Sequence, residues 1–356
     1  MAHLSDYTVL ICNSITDDII GEVDPITLQY SEELNRAGTA TITIPLDTSA
    51  AKLPTLAPLA QSVYLLRDDV PVWGGIVWGY NMNVAGNTVA LNCAGFLSLL
   101  DRRRIRDTTK FVAQDQALIV KSLVDTAAAV SGGGHLIDTS ALTAVGKLRN
   151  RTYYGYARKN IGEAIQQLSN VRDGFDYAIR PAYTAGALTR RMTLSYPNTG
   201  RHTDIVLDSG SNVDVTAVTC DATAMTTVQH VRGEGDGEDA ITVTATNATL
   251  LGVYPLVESL YVASGVTIRT TADEYAQRGL DMGGLPVVIP TVVMSGDSEP
   301  SIGSFTTGDR VQVRASHGML NIKDTFRIIS WSVLINDTGS EQIKLTLAPL
   351  EVFSDA

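Results

Sequence analysis

The stretch QSVYLLRDDVPVWGGIVWGYNMNVAGNTVALNCAGF, residues 61–96, holds two of the three tryptophans in the chain and is broken only by RDD and AGN. Its apolar runs are rich in Val, Trp and Tyr, and both interruptions are turn chemistry. The order is therefore strand, turn, strand, turn, strand. The glycines of PVWGGIVWGY, 71–80, match neither G-x-G-x-x-G nor the Walker spacing, and no helix signal follows them, which excludes a phosphate cradle on a helix N-terminus. Within a strand they let the backbone bend or a neighbour come close. Upstream, TATITIP alternates from residue 39 and a first strand is expected around Tyr7 to Cys12. Residues 1–106 thus read as a small antiparallel barrel or sandwich.

The other end of the chain has the same order. In DRVQVRASHGMLNIKDTFRIISWSVLINDTGSEQIKLTLAPL, residues 309–350, a strand centred on Val311 answers one centred on Val63. A strand running from Ile328 past Trp331 answers one running from Ile76 past Trp78. A polar turn with Gly339 answers one with Gly86, and QIKLTL answers TVALNC. Few residues are identical, so the match is one of pattern. It predicts a second barrel over 286–356, with the two tryptophan strands in equivalent places.

Between these ends the period changes. DQALIVKSLVDTAAAV, 115–130, has helical spacing and stops at SGGG. Asn160 and Glu163 form a capping box ahead of Ile161, Ile165, Leu168 and Val171 on one helical face. Strands near DYAIRPAY and RRMTLSYP complete an α+β middle domain, 107–200. A second middle domain, 201–285, is mostly β, with DVTAVTC and TTVQHVRGEG as its clearest strands. It carries one helix signalled by a capping box at Thr271 and Glu274, stopping at Gly283, Gly284 and Pro286. The run DRRRIRD, 101–107, reads as a solvated or ion-paired domain junction rather than a nucleic-acid patch, because Asp101 and Asp107 flank it.

Composition agrees with a mainly β, multidomain protein. At 356 residues, 44% hydrophobic, the chain exceeds what one core serves, and 30 glycines against 6 phenylalanines favour short strands and turns. A net charge of −11 excludes a general phosphate-binding surface. The longest apolar run, VVIPTVVM at 287–294, is too short to span a bilayer, and the N-terminus has no signal-peptide pattern.

Chemistry finds little apparatus. Cys12, Cys93 and Cys220 are odd in number and far apart, so they read as buried thiols rather than a disulfide or zinc set. His3, His135, His202, His230 and His317 lack ligand spacing and read as surface or loop residues. RGEGDGED, 232–239, lacks the calcium-loop spacing and reads as an acidic turn. SGGGH, 131–135, is a helix stop rather than a serine–histidine pair. No catalytic residue, cofactor or metal is expected.

The block from SEELNRAGTATITIP to TVALNCAGFLSLLDRRRI resembles the N-terminal part of tail hub proteins of long-tailed bacteriophages, the minor tail, baseplate hub or tail-associated proteins. The closing block, FTTGDRVQVRASHGMLNIKDTFRIISWSVLINDTGSEQIKLTLAPL, is similar to their last hub domain, and YPLVESLYVASGVTIRTTADEYAQRGL to their middle segment. The resemblance implies a four-domain hub, similar in outline to the central hub of contractile tails. Its first and last domains would be tube-like barrels, and a homotrimer would present six similar faces to a six-fold tube. It implies a place in the virion at the tail tip, after assembly in the host cytoplasm. The implied partners are a distal tail protein or the tail tube above and tip or receptor-binding proteins below, with a tape-measure protein also possible. Sequence-specific nucleic-acid binding is not implied. Family members often carry an extension beyond the last hub domain, whereas this sequence ends at APLEVFSDA, so wall cleavage or receptor binding is expected of separate proteins.

The rival reading is a cell-wall glycan-binding or glycan-cleaving β-rich protein, for which 38 acids supply carboxylates but no identifiable pair. On the hub reading, Trp73, Gly75, Trp78, Phe326 and Trp331 are the residues expected at barrel packing or subunit contacts.

Overall fold

The computed structural model describes residues 7–47, 56–171, 173–198, 200–284, 287–318 and 320–350. The expected stop at Pro286 and the terminal EVFSDA lie outside them. The chain is mainly β. Strands β1 (Tyr7–Asn13), β2 (Ile19–Val23), β3 (Thr27–Glu33), β4 (Thr39–Pro45), β5 (Gln61–Arg67), β6 (Val70–Asn83) and β7 (Thr88–Gly95) come first, followed by the short helix α1 (Leu97–Leu100). The RDD turn takes positive φ at Asp68 and Asp69, the mirror-image hairpin turn that suits the twist of the flanking strands.

A mixed α+β unit follows. It contains β8 (Thr109–Asp115), α2 (Gln116–Ala129), β9 (Ile137–Asp138), β10 (Leu148–Tyr153), α3 (Ile161–Ser169), β11 (Asp176–Thr184) and β12 (Ala187–Ser195). Asp115 starts α2 by accepting from Ala117 N at 2.9 Å, and its other oxygen takes Val145 N and Gly146 N. Asn160 caps α3 as expected, accepting from Glu163 N at 3.1 Å, and Ile161, Ile165, Leu168 and Val171 are all buried.

The remaining elements are β13 (His202–Asp208), β14 (Asp214–Asp221), β15 (Val228–Arg232), β16 (Thr242–Thr246), α4 (Ala248–Leu251), β17 (Glu258–Val262), α5 (Arg269–Gly283), β18 (Val287–Ser295), β19 (Arg310–His317), β20 (Leu320–Ile335) and β21 (Glu341–Pro349). Helix α5 begins at Arg269 behind Ile268, so Thr271 lies inside it and is buried; the expected capping box at Thr271 and Glu274 does not form.

One large sheet organises the chain. Its first array runs β3-β4-β7-β6-β5-β1, with β2 added beyond β1. Its last runs β14-β18-β21-β20-β19-β13. The two arrays use their strands in the same chain order. A small sheet, β16-β15-β17, and α5 are inserted between β14 and β18, where the first array has only the link from β3 to β4. Two strands from the region expected as a second middle domain, β13 and β14, therefore pair with the last array. The arrays differ in one direction: β1 runs antiparallel to β5, β13 parallel to β19.

Register makes the match residue by residue. Val63 pairs with Gly75 and Val311 with Phe326; both central strands then bulge, between Val77 and Gly79 and between Ile328 and Ser330. Beyond the bulge Tyr80 faces Leu91, as Trp331 faces Leu345. Trp331 is thus the counterpart of Tyr80, two residues past the expected Trp78, whose own counterpart is Ile329. Pairing tryptophan with tryptophan hides the offset, because the pleat counts residues from the bulge.

Both arrays share one core. Val9, Leu28, Ile42, Val63, Leu65 and Leu91 pack in the same buried cluster as Val292, Val311, Val333, Ile343 and Leu345. A second cluster covers the opposite face of the first array, where Leu10, Cys12, Tyr64, Leu66 and Ile76 meet Ile119, Val120, Ile165 and Leu168 of the α+β unit. Burial on two faces is why VLIC and VYLL read as continuous apolar runs rather than alternating ones.

Candidate functional site

The two arrays are joined directly, strand to strand. β3 pairs antiparallel with the second half of β20, from Ser330 opposite Glu33 to Ile335 opposite Leu28. Trp331 lies at this joint, edge-on to Tyr30 at 5.6 Å and to Phe305 at 6.4 Å.

The joint is fastened by buried charge. Glu32 accepts a bidentate pair from Arg180 of β11, at 2.9 and 2.5 Å, and a hydrogen bond from the Thr307 hydroxyl. Burial alone pushes the Glu32 carboxyl up, but Arg180 and the hydroxyls of Thr307 and Thr306 outweigh it and hold it below the ordinary carboxylate value. Arg327, fully buried on β20, donates to Gly308 O at 3.0 Å and to Asp176, which also accepts from Asn35 at 3.2 Å. Burial pushes the Asp176 carboxyl up, opposed by Arg327 and Asn35. On the core side Glu341 accepts from Arg67 at 3.0 Å and from the Tyr7 hydroxyl, which lies 3.0 Å from that of Tyr30. Arg190 of β12 is enclosed by the first array: it reaches Asp17 at 2.5 Å, Ser14 O at 3.1 Å and Ser62 at 3.2 Å, with its guanidinium 4.7 Å from the centre of the Phe96 ring. Such pairs fix relative position more surely than they add stability.

The five sequence-derived positions fall into two groups. Trp73 is buried in the shared core and donates to Ser31 O at 3.0 Å, and Phe326 and Trp331 are buried in the same cluster. Gly75 makes room for Trp73: a Cβ there would meet the Trp73 ring at 2.5 Å and Ala94 O at 2.3 Å. Gly74 does the same for Phe96, at 2.7 Å. Trp78 faces the other way, half-buried against the second cluster, donating to Ser98 Oγ at 3.0 Å under the Arg102 guanidinium. Trp73, Gly75, Phe326 and Trp331 therefore gather about the array core, and Trp78 does not. The residues missed were Glu32, Arg180, Asp176 and Arg327, single charges whose partners lie far along the chain.

The residues weighed for chemistry in the sequence have local structural partners or surroundings. In SGGGH, His135 is buried rather than at the surface, one ring nitrogen 3.1 Å from Val124 O and the other accepting from Ile137 N; burial lowers its pKa. Cys12 and Cys93 are buried but Cys220 is exposed, because β14 is a sheet edge. In RGEGDGED, Glu234 accepts from Gly265 N at 2.6 Å, and among the described residues no group of three His, Cys, Asp or Glu is arranged to hold a metal. DRRRIRD, expected to be solvated or ion-paired, is largely solvated, with Asp101, Arg102, Arg104, Arg106 and Asp107 exposed, while Arg103 donates to Gly133 O at 2.8 Å and to Ala127 O at the end of α2. No helix among the described residues is long and apolar enough to cross a membrane.

The fold is similar to that of solved phage tail proteins and of a type VI secretion system component. A tail protein from Neisseria meningitidis MC58 superposes with a TM-score of 0.63 at 12% identity, over 98% of both chains. The 43 kDa tail protein of prophage MuSo2 from Shewanella oneidensis gives 0.61 at 12% identity, over 98% of this chain and 100% of that one. An E. coli component of the type VI secretion system, described as structurally similar to the T4 tail proteins gp27 and gp5, gives 0.53 at 12% identity, over 94% of this chain and 74% of its own. No family model matches the sequence, and no curated protein matches it.

Proposed function

We propose that this chain is a non-enzymatic structural protein of a bacteriophage tail, a homotrimeric hub that adapts a six-fold tail tube to a three-fold tip. The observation that carries the reading is the pair of six-stranded arrays with common order and register in one sheet. Three copies of such a chain offer six similar faces, which is what a six-fold neighbour needs. On this reading the arrays are the two tube-like barrels, the α+β unit and the β15–β17 insertion are the middle domains, and the acidic balance lets DNA pass a lumen without adhering. A distal tail protein or tube ring binds above, and tip or receptor-binding proteins below. Light scattering on the purified chain, alone and with its neighbouring tail proteins, tests the trimer: a mass of three chains supports it, and a monomer under both conditions contradicts it.

A further inference from the structure

Among the described residues, the match between the arrays sets a covered strand edge in one against an open edge in the other. β20 is covered on both sides of its second half, by β21 and by β3. Its counterpart, the second half of β6, pairs with β7 on one side and with nothing on the other among the described residues. The consequence shows in exposure. Trp331 and Val333 are 7% and 0% exposed, while their counterparts Tyr80 and Met82 are 39% and 47% exposed, and Val84, counterpart of Ile335, is 76% exposed. A Cβ at Gly79 would meet nothing within 4 Å. The strand that matches β3 is β14, and it too is paired on one side only, with β18. An apolar strand edge and an unpaired strand edge in one chain form a template for association.

We infer that β14 of one copy pairs antiparallel with the second half of β6 of the next, repeating between chains the β3–β20 joint found within each. This deepens the hub reading and rests on it. The register follows from the counterparts. Within the chain Trp331 faces Glu32 and Val333 faces Tyr30. Through their shared pairing with β4 and β18, Tyr30 corresponds to Val218 and Glu32 to Cys220. Between chains Tyr80 then faces Cys220 and Met82 faces Val218. Because the contact joins two different edges it is head-to-tail, and repeated about the three-fold axis of the hub reading it closes a ring. Within that ring every array meets its neighbour by the same strand pair, alternately inside a chain and between chains.

Cys220 makes the register measurable, since it is exposed and the other two cysteines are buried. Residues facing each other in an antiparallel pair lie within disulfide reach, and those one pleat off on the diagonal do not. Tyr80→Cys, oxidised with copper phenanthroline under air, is expected to give crosslinked dimers and trimers on a non-reducing gel. The wild type and Tyr80→Cys/Cys220→Ser stay uncrosslinked, and Met82→Cys with native Cys220 crosslinks several-fold less. Met82→Cys/Val218→Cys/Cys220→Ser repeats the test without altering Tyr80. Chains that associate by light scattering yet crosslink in neither paired variant overturn this joint and leave the hub reading standing. Chains that remain monomeric throughout overturn both.

Discussion

Trp331 meets Tyr30 edge to face, ring centroids 5.6 Å apart at 88°, although the two residues come from opposite ends of the chain. That contact sits on the antiparallel pair that makes two strand arrays one sheet. It ties the first and last thirds of the sequence into one folding unit, with the α+β unit packed on one face.

Trp331→Ala removes a buried ring from this joint, and the expected loss of stability is about 3–5 kcal/mol. Trp78→Ala strips a half-buried ring from the other face and should cost less. Chemical denaturation of the two variants checks the order, and an equal cost would mean that the array core is not where stability concentrates.

The glycines of PVWGGIVWGY give a second contrast. Gly75→Ala forces a methyl against Ala94 O and the Trp73 ring, with an expected cost of about 1–3 kcal/mol. Gly79→Ala meets open space and should be near neutral in the isolated chain. Melting temperatures of the pair decide it.

Glu32 supplies a pH dependence with a definite sign. Its carboxyl is held below the ordinary value of 4.5 in the fold, so the unfolded chain binds the proton more readily. The stabilisation is therefore complete above the ordinary value and is lost as pH falls through the depressed one. Glu32→Gln should destabilise by about 1–2 kcal/mol at neutral pH, because it breaks the bidentate pair with a part-exposed Arg180, and the gap to wild type should narrow in acid. A gap that widened below pH 4.5 would reverse the sign.

Arg190→Ala leaves Asp17 and Ser62 without their buried donor and is expected to cost about 3–5 kcal/mol. Arg190→Lys restores charge but not the fork that reaches Ser14, Asp17 and His135 together, so it should rescue only part. Full rescue by lysine would assign the site to charge alone.

What the sequence made legible was local. The meander in 61–96, the helix ahead of SGGG and the Asn160 cap are written in turn residues, period and caps, and each formed where those signals stand. The repeat was legible as strand order, while its register was not, because a bulge at Trp78 and another at Ile329 shift the pleat without any residue type to mark them. The joint itself was hidden. β3 reads TLQYSEE, with two acids that look solvent-facing, and only the distant Arg180 and Thr307 explain why Glu32 lies inside. Thr271 and Glu274 fit a capping pattern that packing overrode, since Thr271 is buried within α5.

The central claim is that the first and last arrays occupy equivalent positions around one axis. A reconstruction of the purified assembly by electron microscopy tests it most directly. The account predicts three chains forming a ring of six strand arrays, alternately first and last, at one radius. A monomer, or a ring with the two arrays at different radii, would contradict it.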